Sequence, residues 1–444
     1  MRHFENIIVG FGKAGKTLAA SLANHGQEVL VIEKDSHMYG GTCINVACLP
    51  TKNLIINAQK GIEYSQALEI KNQMTAKLRN KNYHKVADLK TATVLTADAE
   101  FLDDQTIQVT DESGKEQLTA DRIFINTGST PIIPDIEGIN TSNHVFASRE
   151  MLDRQQLAKK LVVLGSGPIG LEFASMYAEF GSQVLVLSNG KQILAREEPE
   201  VAAMALDDLQ ADGIDFAFES QLTKVKDTEA GLQLTYQQAG QEHVVQADAL
   251  LVATGRRPNI DDLHLERTTI ELGDHSEILV DDQLKTNVDH IWALGDVNGG
   301  PQFTYISLDD FRIVNNQLLG DHSRTLANRT VYPHTTFLNP AISSIGLTEA
   351  QAKTQGLNYQ IVTMPTAGVP KANVIGNPRG MYKVVLDQDT KEILGMTIYA
   401  EEAYETINLI SLAMQQHVPA TVLGDQIYAH PTMTEALNDL FANL

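Results

Sequence analysis

A chain of 444 residues, 43% of them apolar, has the size of about three compact domains at roughly 150 residues each. Acidic residues outnumber lysine and arginine 56 to 34, and a formal charge of −22 excludes nucleic acid and anionic membranes as partners, because lysine and arginine make the phosphate contacts. No apolar run is long enough for a membrane helix, and the short one after Asn6 reads as a buried strand, not a signal core; a cytoplasmic location is the expectation.

That first strand, Ile7-Ile8-Val9, runs into Gly10-Phe11-Gly12-Lys13-Ala14-Gly15. A helical stretch from Thr17 to His25 and a second apolar strand ending at Glu33 follow. Strand, G-x-G-x-x-G turn, helix and acid together form a dinucleotide fingerprint. Gly10, Gly12 and Gly15 permit the tight turn and the close approach of a pyrophosphate, the helix N-terminus attracts its charge, and Glu33 stands where a carboxylate accepts from a ribose hydroxyl.

Next comes Gly40-Gly41-Thr42-Cys43-Ile44-Asn45-Val46-Ala47-Cys48-Leu49-Pro50-Thr51-Lys52, which holds the only two cysteines of the chain. A lone close pair in an intracellular protein points to redox chemistry or metal binding before structural bracing. Cys48 lies near the start of an amphipathic run, where a helix dipole and Lys52 both favour a thiolate. Five residues of regular helix rise about 7.5 Å, and a disulfide needs Cα atoms within about 7 Å. The two sulfurs can therefore bond only if the backbone between them departs from a helix.

Residues 61–90 read as a long polar helix and 93–119 as short strands with turns at Asp103-Asp104 and Ser113-Gly114. An apolar strand then stops at Asn126-Thr127-Gly128. From Leu161 the first pattern repeats: a strand, Gly165-Ser166-Gly167-Pro168-Ile169-Gly170, a helix carrying Glu172, a strand through Leu187, and a second stop at Ala253-Thr254-Gly255-Arg256. Ser188 occupies the place of Glu33 in the repeat, so nothing there repels a 2′-phosphate, and Lys191 and Arg196 follow within reach of one. NADH and NADPH both stay open. A third apolar strand delivers Gly295-Asp296 to its carboxyl end, where open α/β sheets hold ligands, and a helix from Tyr305 to Leu319 follows. Beyond Val331 strands and helices mix as a separate α+β unit ending in His430-Pro431-Thr432-Met433-Thr434-Glu435.

Taken together, the Gly10–Gly15 turn with Glu33, the run from Gly41 through Cys48 to Lys52, the Gly165–Gly170 turn, Ala253-Thr254-Gly255, Gly295-Asp296 and His430 with Glu435 resemble the flavin-dependent pyridine nucleotide-disulfide oxidoreductases, the group of glutathione reductase, dihydrolipoamide dehydrogenase and mercuric reductase. Ala47 replaces the glycine usual in that group, a change of one methyl. Gly10–Lys16, Arg79–Asn82, Gln302–Asp310 and His430–Met433 with Leu437–Phe441 further resemble a branch of the family described as NAD(P)H-dependent copper(II) reductases of oxidant stress. The extra C-terminal cysteine pair by which mercuric reductases receive metal is missing, which counts against mercury.

The resemblance implies an α/β fold with two Rossmann-like domains, FAD-binding over 1–147 and 265–330 and NAD(P)-binding over 148–264, and a C-terminal α+β dimerisation domain over 331–444. FAD would lie on Gly10, Gly12, Gly15, Glu33, Gly41, Thr42, Thr127, Gly128, Gly295 and Asp296, with Lys52 beside its reactive edge. NAD(P)H would dock against Gly165, Gly167, Gly170, Glu172, Gly255 and Arg256. Cys48 would be the flavin-side sulfur and Cys43 the one facing substrate. His430, poised by Glu435, would act as acid and base across the interface of a homodimer. Copper(II) is the first candidate acceptor; an organic disulfide such as glutathione or dihydrolipoamide shares every motif, and a redox sensor without turnover is a third reading. No metal-spaced ligand cluster appears among the 13 histidines, so the metal ligands are unknown.

Overall fold

The computed structural model describes residues 1–444. Ile7 and Ile8 have no exposed surface because their strand, Arg2–Val9, lies between two parallel neighbours, Val29–Glu33 and Gly114–Ile125. Ala92–Thr96 extends this sheet on one side, Ile291–Ala293 joins the end of Gly114–Ile125 in parallel, and Thr106–Asp111 and Asp98–Phe101 finish it antiparallel. Strands covered on both faces have no need of polar alternation, which is why these runs are continuously apolar. The covering helices are Lys13–Asn24 and Thr304–Leu319; Leu18 and Leu22 of the first share a core with Ile313 and Val314 of the second. A strand and a helix from late in the sequence thus belong to the first sheet.

The second unit is a five-stranded parallel sheet, ordered Ile214–Ala217, Gln183–Leu187, Lys160–Leu164, Ala249–Val252, Val145–Phe146. The repeat seen in the sequence is also geometric. Gly10 and Gly165 take φ of 103° and 118°, and a side chain on either would run into the carbonyl of the strand end opposite, Asn126 or Ala253. A helix, Pro199–Ala211, and an antiparallel meander from Ser220 to Ala247 are additions to the repeat.

The last sheet is antiparallel, ordered His334–Thr336, Ala341–Gly346, Ile393–Ala400, Met381–Asp387, Tyr359–Pro365, and the helix Ala403–Gln415 buries Ile407, Ile410 and Ala413 against it. The cysteine-bearing helix, Cys48–Gln59, packs against the second and last units: Leu54 and Ile55 share one core with Phe173 and Tyr177 of the helix Pro168–Glu179, with Ile342 of the last sheet and with Leu338 in the loop before it. No helix is long and apolar enough to cross a membrane.

Candidate active site

Between the cysteines the backbone breaks as their bonding requires. A four-residue helix, Thr42–Asn45, ends at Val46; Ala47 leaves the helical region at φ −146° and ψ −104°; and a new helix opens at Cys48 itself, earlier than the amphipathic pattern indicated. Both cysteines are free and partly accessible, and the Cys48 thiol donates to the Cys43 sulfur. That hydrogen bond is the main reason the Cys43 pKa falls to about 6; burial opposes it, and the Thr304 hydroxyl, Lys16 and Lys13 add to it. The same hydrogen bond, burial and the negative charge on Cys43 push the Cys48 thiol far up, with Lys52 only partly offsetting them. The sequence reading favours a thiolate at Cys48; the hydrogen bond within the pair acts the other way, lowering the Cys43 pKa and raising that of Cys48. In the reduced enzyme, alkylation of Cys43 by iodoacetamide is expected to rise with pH, to be half-maximal near pH 6 and level above it, since only the thiolate attacks.

Around the first unit the predicted residues converge. The Gly15 N–H donates to Asn126 Oδ1 at 2.9 Å, at the start of the helix Lys13–Asn24. Glu33 accepts from the Phe11 and Asp35 N–H groups at 3.0 and 3.3 Å, and burial raises its pKa. Gly41 lies so close to the turn that a Cβ would stand 2.9 Å from the Gly12 Cα. Asp296 Oδ2 accepts from the Ser129 hydroxyl at 2.7 Å, and Arg256 donates to both the hydroxyl and the carbonyl of Ser129, at 2.9 and 2.6 Å. The neighbouring Gly295 N–H donates to Asp310 Oδ2 at 2.7 Å. The Thr127 hydroxyl, next to Gly128, is buried without a partner. A cradle that a methyl group would fill, two acids suited to hydroxyls and an orphaned hydroxyl fit a dinucleotide such as FAD.

Lys52 leaves the first unit and pairs with Glu172 of the second, Nζ to Oε2 at 2.5 Å, while lying 4.7 Å from the centre of the Phe337 ring. Glu172 also accepts the Phe337 N–H at 3.0 Å. This acid therefore faces the cysteine helix and not the cleft of its own unit. That cleft, about 570 Å³, is lined by Gly165, Ser166, Gly167, Ser188, Asn189, Thr254, Gly255 and Arg256 among others. Gly170 lies behind it, packed on the Gly165 carbonyl. Neither Lys191 nor Arg196 reaches the cleft; both are exposed, and Lys191 turns toward Glu219 at 3.8 Å. With Ser188 and Asn189 neutral and no cation beside them, kcat/KM for NADH and NADPH is expected to agree within about tenfold, or about 1.4 kcal/mol, as steady-state kinetics with both will measure.

His430 Nδ1–H donates to Glu435 Oε2 at 2.8 Å, and its side chain is 69% exposed. No hydrogen bond joins it to either cysteine within one chain. Asn126, Ser129, Lys16 and Thr304 are site neighbours that the motifs contain but do not single out; the only sequence signal was that each stands inside or beside a glycine turn or at a helix start.

The chain belongs to the pyridine nucleotide-disulphide oxidoreductases: residues 4–310 match that family and residues 332–441 its dimerisation domain. It is an enzyme of that flavoprotein class, whose members use FAD and NAD(P)H. Among its relatives is the probable pyridine nucleotide-disulfide oxidoreductase RclA of Escherichia coli (strain K12), 40% identical over 442 residues and covering 100% of this chain and 99% of that one. A mercuric reductase of Lysinibacillus sphaericus is 30% identical (98% of this chain, 81% of the other), as is the dihydrolipoyl dehydrogenase of Bacillus subtilis (97% and 94%). The structure superposes with a TM-score of 0.96 on the Cu(II) complex of the HOCl-induced flavoprotein disulfide reductase RclA from Escherichia coli, at 40% identity over 100% of this chain and 99% of that one.

Proposed function

We propose that the protein takes two electrons from NAD(P)H and passes them through Cys43 and Cys48 to copper(II), as a cytoplasmic reductase of oxidant and metal stress. The observation that carries this reading is the accessible pair with its thiolate at Cys43, in a chain so similar to a protein solved as a Cu(II) complex and described as HOCl-induced. FAD, when bound, supplies the two-electron exchange between nicotinamide and sulfur. Gly10, Gly12, Gly15, Gly41, Thr42, Thr127, Gly128 and Gly295 would hold it, Glu33 and Asp296 would bind its hydroxyls, and Lys52 would lie beside it.

On the acceptor side the Cys43 thiolate and the Cys48 thiol give up two electrons to two copper(II) ions, the Sγ–Sγ bond re-forms and the Cys48 proton leaves. His430, oriented by Glu435, is the group suited to take that proton. The one tight group of acidic side chains, Glu198, Glu200 and Glu349, is filled by the Lys383 ammonium, which lies 3.0 Å from Glu198 and 2.7 Å from Glu349 and reaches Glu200 as well. It holds no room for an acceptor metal.

The proposed FAD-binding (1–147, 265–330), NAD(P)-binding (148–264) and dimerisation (331–444) domains are supported by the three largest sheets, except that Val145–Phe146 pairs into the second and moves that boundary ahead of residue 145. A homodimer is supported by the dimerisation-domain match and by exposed apolar side chains in that region, among them Val374, Leu412, Val422 and Ile427 at 53 to 91%. The dihydrolipoyl dehydrogenase relative favours an organic disulfide as second reading. An acceptor panel of copper(II), glutathione disulfide and lipoamide, scored by kcat/KM with each nicotinamide, decides: a preference for either disulfide over copper(II) overturns the first reading, and single-turnover behaviour with all three would mark a sensor.

A further inference from the structure

Ser307 and Asp310 stand one turn apart on the helix Thr304–Leu319, and both are buried, at 7% and 1% exposed. Residues three apart share a helix face, and these two accept from backbone N–H groups of two different glycine turns. Ser307 Oγ accepts the Ala14 N–H at 3.2 Å, within the Gly10–Gly15 turn. Asp310 Oδ2 accepts the Gly295 N–H at 2.7 Å, just past the strand Ile291–Ala293, and Asn298 Nδ2 donates to the same oxygen at 3.2 Å. Asn126 ties the same two turns from another side: its Oδ1 accepts the Gly15 N–H and its Nδ2 donates to the Leu294 carbonyl at 2.6 Å. These groups crowd together at Gly295, where a Cβ would lie 2.9 Å from Ser307 Oγ and 3.0 Å from Asn126 Nδ2. The charge of Asp310 is balanced at its other oxygen by Arg329, which also meets Asp309 Oδ2 at 2.8 Å; Arg324 takes the remaining Asp309 oxygen, with Arg312 4.0 Å away from it.

We propose that Asp310 and Ser307 are positioning residues for FAD, holding the Gly10–Gly15 turn and the Gly295–Asp296 turn at one fixed separation. The inference rests on the reading above that FAD lies on these two turns. Each side chain fixes a backbone N–H beside a proposed FAD contact: Ala14 precedes Gly15, and Gly295 precedes Asp296. Of the three N–H groups that open the helix Lys13–Asn24, those of Ala14 and Gly15 are engaged within the protein, and that of Lys13 is left for a phosphate. Asp310 has two separate tasks. One oxygen serves the Gly295 N–H, for which a neutral amide oxygen would suffice, and the other pairs with Arg329. The first task bears on the cofactor, the second on the stability of the chain.

The test is the FAD dissociation constant, read from the flavin fluorescence released on dilution of the holoenzyme, with Tm measured beside it in saturating FAD. The enzymes compared are wild type, Asp310→Ala, Asp310→Asn and Ser307→Ala. Asparagine keeps an oxygen for the Gly295 N–H and gives up the ion pair; alanine gives up both. Asp310→Ala is expected to bind FAD about tenfold more weakly or worse, and Ser307→Ala about fivefold more weakly, as loss of the acceptor of a buried N–H does. Asp310→Asn should stay within about threefold of wild type in FAD affinity although its Tm falls. A purely structural role, exerted through Arg329, would make the asparagine and alanine variants alike, and equal FAD affinity in those two overturns the proposal. If Asp310→Ala fails to fold, Ser307→Ala decides, and an unchanged dissociation constant there overturns it. Asp296→Ala separates this inference from the reading beneath it. If Asp296→Ala weakens FAD binding while Asp310→Ala does not, only the inference fails; if neither variant weakens it, FAD does not lie on these turns and both fail.

Discussion

Replacing Cys43 by serine is expected to lower acceptor reduction by about 10³-fold or more, the scale seen when one member of a catalytic unit is removed, while FAD stays bound at one per chain. The expectation follows from the division of labour in the pair. Cys43 is the sulfur the reading gives to the acceptor, so its loss removes the outgoing nucleophile and leaves Cys48 with no sulfur to bond. The cradle around Gly12, Glu33 and Asp296 does not include the Cys43 side chain, and the turn at Gly41 that brings the loop against Gly12 is a backbone feature. Flavin absorbance of the purified variant and its rate of copper(I) formation separate the two effects. A variant that kept full copper(II)-reducing activity would mean that electrons leave without sulfur.

The second large effect is expected at His430. An acid–base group contributes roughly 10² to 10⁴-fold, and His430→Ala is expected to lose that much in turnover while its FAD content and NAD(P)H binding are unchanged. Glu435→Gln, which keeps the side-chain shape and removes the charge facing Nδ1 at 2.8 Å, should lose less, on the order of tenfold. The imidazole is exposed and meets no cysteine of its own chain. Mixing the inactive His430→Ala and Cys43→Ser enzymes under conditions of subunit exchange is therefore expected to restore part of the activity, through dimers that join an intact cysteine pair to an intact histidine. No recovery after verified exchange would place the histidine's role within one chain, or nowhere in the reaction.

Much of this was legible in the sequence because the chemistry is local. The Gly10 and Gly165 turns, the cysteine run and the Gly-Asp strand end each act through neighbours within a few residues, and their spacing survives without the fold. Even the broken backbone between Cys43 and Cys48 followed from helix rise against disulfide reach. What stayed hidden depends on contacts between distant segments. Lys52 meets Glu172 across two units, Thr304 and Lys16 act on Cys43 from separate helices, and Asp296, Ser129 and Arg256 join three distant segments. No periodicity encodes such meetings. The Ser220–Ala247 meander was also missed, since its polar, one-face-buried strands give little contrast with loop sequence.

The claim on which the rest depends is that electrons pass through these two sulfurs on their way from nicotinamide to acceptor. Counting alkylatable thiols in the FAD-loaded enzyme under anaerobic conditions tests it directly, before and after one equivalent of NADH and again after two equivalents of copper(II). The expected sequence is none, two and none per chain, with two copper(I) ions appearing in the last step. Formation of copper(I) while the thiol count stays constant throughout would contradict it.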